Sequence, residues 1–391
     1  MTLSPNPFGY VRLRLDPASL REVPPTPTAP ATLDDETLAV LAAHAEPLGL
    51  LQLGAVRLDH PGFAPARASL ADYLERGAEG EMAFMSRSES VRMDPSEMLP
   101  GAKSALVAVV PYAGEPGPVA RYAQWSDYHT ELHRRLERLS EHLHARVPGI
   151  ETLICVDTKP VLERAVAVLA GLGFLGKNGC LIVPGLGSYV LIAVLLTTAR
   201  WTGTDRSPTY ARDQTRAPWD ACGSCRLCLE HCPTDAFDSP GKLDPRRCIS
   251  YLTIEHRGPI PDPLASQMGQ RIAGCDVCQE VCPYNRSSTR EDRVPASAWL
   301  EPPPGHARVP DLARLANVGN NQHRQFVKQT ALNRIPRAAL RRNAILALGN
   351  GQGPASQDER EALRLAMTDP SPELAALARW ASARRQVELV E

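Results

Sequence analysis

The segment CGSCRLCLEHCP, residues 222–233, sets cysteines at 222, 225, 228 and 232 and closes with a proline. This CxxCxxCxxxCP spacing is that of a 4Fe–4S run: three thiolates wrap one face of a cubane, and the fourth points away, toward a second cluster. A second set is therefore required. The segment CDVCQEVCP, residues 275–283, supplies CxxCxxxCP, and Cys248 stands alone upstream in place of the missing first cysteine. The assignment closes with Cys222, Cys225, Cys228 and Cys282 on one cluster and Cys232, Cys248, Cys275 and Cys278 on the other. Structural zinc sites also use CxxC units, but zinc knuckles rarely carry a CxxCxxC run followed by x3-C-P. Cys155 and Cys180 are left over; on apolar strands they read as buried thiols.

The rest of the chain is more than a carrier for clusters. It has 391 residues, enough for two or three domains. With 43% hydrophobic and 22% charged residues it has the composition of a globular protein, not a disordered one. Its net charge of -1 gives no global pull toward nucleic acid or membrane, so any basic surface must be local. The longest apolar run, near Tyr189–Ala199, falls short of the ~20 residues a spanning helix needs. With no apolar signal core and no twin-arginine pair, the expected location is the cytoplasm, where ten cysteines point to metal binding and not to disulfides.

Upstream of the cysteines, residues 1–33 are rich in proline and read as an extension. Asp34 or Asp35 can then cap a first helix. Residues 34–205 read as a mixed α/β domain. SALVAVVPY (104–112), TLICVDT (152–158), CLIVP and YVLIAVLLTT read as strands. Leu132, Leu136, Leu139 and Leu143 recur at helical spacing behind a cap at Ser126 or Asp127. Pro160 is expected to open a helix that Gly173 closes. Residues 206–295 form the double-cluster domain, of bacterial ferredoxin type. A Pro-rich joint leads to residues 305–391, which read as a helical repeat (HEAT-like) tail. The fold class is thus α+β or α/β with a ferredoxin-like cluster domain and a helical tail.

Several strings together resemble the epoxyqueuosine reductases, cobalamin-dependent iron–sulfur enzymes of queuosine tRNA modification. They are RYAQWSDYH (121–129), VDTKPVLERAVAVLAGLGFLGKNGCLI (156–182), RCISYLTIE (247–255), CDVCQEVCPYN (275–285) and RRNAILALGN (341–350), besides the double cysteine set. The resemblance implies reduction of the epoxide of epoxyqueuosine, in tRNA, to the alkene of queuosine. It implies cobalamin between the α/β and cluster domains, and makes the aspartate of the VDTKP string, Asp157, the proton donor. It further suggests a cobalamin pocket lined by Lys177 and Asn178, with Arg92, Arg121, Ser188 and Ser250 as further candidates.

The chemistry is coherent. Removing an epoxide oxygen as water takes two electrons and two protons; clusters deliver electrons singly, so a centre that accumulates them is useful, and the leaving oxygen needs an acid. A donor at neutral pH needs a raised pKa, which burial could supply to Asp157. On the residues alone, Asp157 could instead cap the helix from Pro160; Tyr128 and His129 could serve the pocket or merely pack. In the tail, Arg308, Arg314, Arg324, Lys328, Arg334, Arg337, Arg341 and Arg342 face the single acid Asp311. Lys328, Arg334, Arg341 and Arg342 are the candidates for tRNA phosphates, against the alternative of a solvated helix face. The expected partners are tRNA and an unidentified low-potential electron donor, with no membrane, for a monomer. Two other classes compete: a cobalamin-dependent reductive dehalogenase, and a ferredoxin-like electron carrier that would need neither Asp157 nor a corrin.

Overall fold

The computed structural model describes residues 31–208, 216–286 and 310–387. In chain order the first unit runs β1 (Thr32–Leu33), α1 (Asp35–Ala45), β2 (Leu51–Arg57), α2 (Ala64–Glu75), the short α3 (Phe84–Arg87) and α4 (Glu89–Met93), β3 (Ser104–Pro111), α5 (Tyr128–Arg146), β4 (Thr152–Cys155), α6 (Glu163–Leu169), the two-residue β5 (Phe174–Leu175) and β6 (Leu181–Ile182), β7 (Val190–Thr197) and β8 (Arg200–Trp201). Asp34 caps α1 by accepting from the Thr37 amide at 2.8 Å, and Asp127 caps α5 through the His129 amide at 3.1 Å. Thr32 and Leu33 pair in parallel with Arg200 and Trp201, so the last two residues of the expected extension belong to the fold. Residues 1–30 lie outside the described residues.

The sheet order is β2-β3-β7-β4, and every pairing in it is antiparallel. Along β3, Leu106, Ala108 and Val110 enter one core with Leu38 and Leu41 of α1 and the leucine stripe of α5. Ala105, Val107 and Val109 enter the other, with Val166, Ala167 and Leu169 of α6. Both faces are covered, which explains why SALVAVVP is unbroken apolar sequence and not an alternation. The antiparallel order settles the class as α+β here. It also means that the crevice rule of parallel sheets does not place Asp157.

Two expectations for the segment after β4 are corrected. Pro160 does not open a helix. The chain first makes two tight turns, with Thr158 N–H on the Val156 carbonyl and Val161 N–H on Lys159, and α6 starts only at Glu163. Asp157 therefore caps nothing. The helix ends at Gly171, whose φ of 84° terminates it in the left-handed region; Gly173 serves a different need, since a Cβ there would sit 2.1 Å from the Ile182 carbonyl.

The cluster unit holds α7 (Leu227–Glu230), β9 (Phe237–Ser239), β10 (Lys242–Leu243), α8 (Ile249–Ile254), α9 (Leu264–Gln267) and α10 (Val277–Glu280). The single-turn α7 carries Cys228, the single-turn α10 carries Cys278, and the two lie against each other. The tail contains α11 (Leu312–Ala316), α12 (Asn320–Val327), α13 (Arg337–Gly349), α14 (Gln357–Met367) and α15 (Pro372–Arg384). Helix α13 is buried along its whole length from Ala339, because tail helices flank it and the cluster unit covers what remains. Its polar groups serve as rivets. Asn343, fully buried, donates to the carbonyls of Thr253 and Ile272, each at 2.8 Å, and Asn350 donates to Ala265 at 2.7 Å.

The same geometry corrects the roles expected for Arg341 and Arg342. Arg341 donates to the Ala316 carbonyl at 3.0 Å and pairs with Asp369. Arg342 donates to the carbonyls of Leu252, His256 and Gly258 at 2.6, 3.0 and 2.7 Å. Both are buried, so their charge is spent inside the protein and not offered to RNA. A count of charges along the sequence cannot see which side of the helix they occupy. Among the described residues, no helix is long and apolar enough to cross a membrane.

Candidate active site and cluster centre

Cys222, Cys225, Cys228 and Cys282 line one cavity, partly open to solvent, together with Pro283 and Tyr284. Burial and the neighbouring thiols Cys222, Cys282 and Cys225 push the Cys228 thiol up to about 11. Cys232, Cys248, Cys275 and Cys278 likewise act on one another, Cys232 on Cys248 and Cys248 on both Cys275 and Cys278. The structure thus brings each expected set of four cysteines into one neighbourhood. Four thiols around one cavity suit a cubane. Cys232→Ser is expected to damage the cluster of Cys248, Cys275 and Cys278 and to spare that of its sequence neighbours. Iron analysis with EPR of the reduced protein checks this, and stoichiometric zinc without iron would contradict it.

Cys155 is buried at the end of β4, as expected. Cys180 is not a strand residue. It lies in the β5–β6 loop, half-buried, and its thiol hydrogen-bonds with that of Cys278.

The residues expected to line a cobalamin pocket divide into two groups. Most fasten the sheet unit to the cluster unit. Lys177 is buried and donates to the carbonyls of Gly223 and Cys225 at 2.6 and 2.9 Å, so it holds the first cluster loop. Asn178 reaches the Cys278 carbonyl at 3.4 Å. Ser188 donates its amide to Asn285 and its hydroxyl to Gln279. Ser250 hydrogen-bonds Cys248. Arg121 gives its amide to Asp276 at 2.7 Å and its guanidinium to Tyr189 and Glu280, yet its Nε, buried at this joint, has no partner. Only Arg92 and Asp157 face the recess described next.

Asp157 follows β4 with a φ of 54°, in the left-handed region that few non-glycine residues occupy. Its carboxylate accepts from the Tyr128 hydroxyl at 2.7 Å and lies 3.6 Å from Nε2 of His129. Nδ1 of His129 is 2.6 Å from Asp127, and the rings of Tyr128 and His129 stack with centroids 4.0 Å apart. The side chain projects into a recess: protein surrounds it, but 66% of its own surface is free. From the tail, Arg334 pairs with Glu255 of the cluster unit and lies 5.0 Å over the Phe84 ring. Lys328 is exposed beside Gln329, whose carbonyl accepts from the Asp127 amide at 2.8 Å. All three units thus meet around Asp157.

The electrostatics reverse one expectation. Asp157 is not raised. The His129 imidazole 3.6 Å away holds its carboxyl below the usual range against the opposing effect of burial, and the Tyr128 hydrogen bond and the Arg334 charge add to it. Two neighbours carry protons instead. Burial works against charge on His129, but the hydrogen bond to Asp127 and the Asp157 carboxylate nearby outweigh it and lift the imidazole to about 9. Burial and the Asp157 charge push Glu163 up to about 8; its Oε1 accepts from the Asp157 amide at 2.7 Å. Glu163 was not singled out from the sequence, although an acid on the apolar face of VLERAVAVL was the available signal. Glu255 was equally hidden, because only the fold brings it near, and the sequence marks Asp127 only as a cap of α5, not as a partner of the His129 ring.

Fold and site define an iron–sulfur oxidoreductase, with a cysteine-framed double-cluster unit docked on an α+β unit that carries an acid–histidine recess. The comparisons agree. One family model, a 4Fe-4S double cluster binding domain, matches residues 221–285; another, described as Epoxyqueuosine reductase QueG, DUF1730, matches residues 92–158. The epoxyqueuosine reductase of Gloeobacter violaceus is 35% identical over 322 residues, 80% of this chain and 96% of its own. The solved structure of epoxyqueuosine reductase from Streptococcus thermophilus overlays with a TM-score of 0.74 at 25% identity, over 90% of this chain and 91% of that one. Another, solved with an epoxyqueuosine-modified tRNA-Tyr stem loop, gives 0.69 at 28%, over 88% and 89%. The chain belongs to the epoxyqueuosine reductase family, an oxidoreductase of tRNA modification. That membership sets aside the electron-carrier and dehalogenase readings.

Proposed function

We propose that the protein reduces epoxyqueuosine within tRNA, with Asp157 as the proton donor and cobalamin held where the sheet and cluster units join. The observation that carries this reading is the recess at Asp157, built at a strained residue by side chains of all three units. The reaction balances as epoxide plus two electrons plus two protons giving alkene plus water. When bound, cobalamin supplies a centre that takes up electrons one at a time and returns them as a pair. Arg92 and Arg121 would hold it, the latter with its unpaired Nε. Cys222, Cys225, Cys228 and Cys282 would hold one cluster, and Cys232, Cys248, Cys275 and Cys278 the other. Asp157, steadied by Tyr128, delivers a proton to the departing oxygen, since an alkoxide leaves poorly.

Lys328 and Arg334 flank the recess and suit the phosphates of an anticodon arm. Lys328→Glu with Arg334→Glu is expected to weaken tRNA binding and to flatten its salt dependence, because fewer counterions are released. Binding isotherms at several salt concentrations check this; unchanged slopes would place the RNA elsewhere. The reading as a whole is tested by mass spectrometry of epoxyqueuosine-containing tRNA after incubation with the reconstituted protein and a low-potential reductant. Loss of one oxygen from the modified base is expected, and tRNA that keeps its epoxide would overturn the reading.

A further inference from the structure

Resting on that reading, one question follows: where does the proton on Asp157 come from? The carboxylate as it stands is ionised, and the recess holds two opposite charges side by side. We propose that His129, oriented by Asp127, is the proton store that loads Asp157 when the recess is filled, so that His129 acts through Asp157 and not on the substrate. The geometry is a line of three groups. Asp127 Oδ1 lies 2.6 Å from Nδ1 of His129, and Nε2 of the same ring lies 3.6 Å from Asp157 Oδ2. Asp127 fixes which ring nitrogen faces Asp157. It is itself fixed, because its amide is held by the Gln329 carbonyl at 2.8 Å and its carboxylate caps α5. The His129 side chain keeps 29% of its surface free, a route for reprotonation from water.

The trigger is desolvation. In the open recess the pair is stable as imidazolium and carboxylate. An occupant that excludes water raises the energy of both charges, moving the carboxyl pKa up and the imidazole pKa down. The neutral pair then becomes favoured. The N–H bond at Nε2 breaks, an O–H bond forms at Oδ2, and the ring is left neutral with its Nδ1–H on Asp127; no electrons change hands. Apo contacts of this kind are often long and tighten in the filled site. The donor is thus loaded with its proton only when something is there to receive it.

Asp127 and Asp157 act on the ring directly, and Tyr128 stacks on it. The remaining charged and titratable groups act on Asp157 or through its neighbours: Glu163 and Arg92 beside Asp157, Arg334 from the tail, and Tyr122, which also feels Glu255 of the cluster unit.

The test is His129→Gln in the reconstituted enzyme, beside Asp157→Asn. For His129→Gln, kcat is expected to fall by about a hundredfold, the lower range for proton-transfer groups, with the KM for tRNA unchanged. The alkaline limb of kcat/KM, near pH 9 in the parent because His129 must be protonated, should disappear, and added imidazole should restore part of the rate. A second readout needs no turnover. In the resting protein labelled at histidine, the NMR signal absent from the His129→Gln variant should titrate near 9 and move down toward the ordinary ~6.5 in Asp157→Asn. An unchanged rate and limb in His129→Gln, a rate loss that imidazole does not relieve, or a parent signal titrating near 6.5 would each overturn the proton store. If Asp157→Asn itself keeps normal turnover, the donor reading falls and takes this one with it. If Asp157→Asn is inactive while His129→Gln is normal, the store alone fails.

Discussion

Asp157→Asn is expected to keep both clusters and bind tRNA normally while epoxide reduction falls by about a hundredfold or more, the range lost with a general acid. The substitution is close to isosteric, and asparagine tolerates the left-handed backbone that Asp157 adopts at φ 54° as readily as aspartate does. The turn after β4 should therefore survive. The amide still accepts from the Tyr128 hydroxyl, so the ring remains in place. On the proposed mechanism what is lost is specific: a group that gains a proton from His129 and gives it to an oxygen. Single-turnover rates with prereduced enzyme, alongside iron content and tRNA affinity, separate this loss from a folding defect. Near-normal turnover would show that another acid serves, and Glu163, pushed up to about 8 by burial, would be the first to substitute.

How far the sequence led depends on the kind of residue. The double-cluster unit was legible because metal geometry dictates cysteine spacing along the chain, and the family model over residues 221–285 agrees with it. The leucine stripe of α5 and the double-sided burial of β3 were legible because their periodicity reports the environment directly. The direction of the strands was not, since antiparallel and parallel central strands share the same apolar run. The Asp157 pKa was not legible either. Its sign depends on His129 and Arg334, which arrive from 28 residues before and 177 residues after it in the chain. Lys177 illustrates a third case. The family-like string singles it out for the cobalamin pocket, while in the structure its ammonium donates to carbonyls of the first cluster loop. Motif matching identified positions that matter without saying what they touch.

Arg341 and Arg342 make that distinction measurable. Both belong to the basic run of the tail, yet they are expected to act on stability and not on RNA. Arg341→Ala leaves Asp369 as a poorly solvated carboxylate without its partner, in a pair whose side chains are 9% and 12% exposed. Breaking a buried pair from one side costs about 3–5 kcal/mol. Arg342→Ala leaves the carbonyls of Leu252, His256 and Gly258 without their donor, and each buried acceptor so abandoned costs about 1–3 kcal/mol. Since α13 and α8 share this joint, the loss should appear as easier release of the tail from the cluster unit. Urea denaturation followed by hydrogen exchange at Leu252–His256 would detect it. Lys328→Glu and Arg334→Glu give the opposite pattern. Arg334 pairs with Glu255 while half-exposed, and such a pair is worth at most about 1 kcal/mol, so stability should hold while tRNA affinity falls. If Arg342→Ala instead leaves the denaturation midpoint unmoved and weakens RNA binding with the salt signature of a lost phosphate contact, then the tail must open at this joint to meet its substrate, and the buried arginines are the surface it exposes.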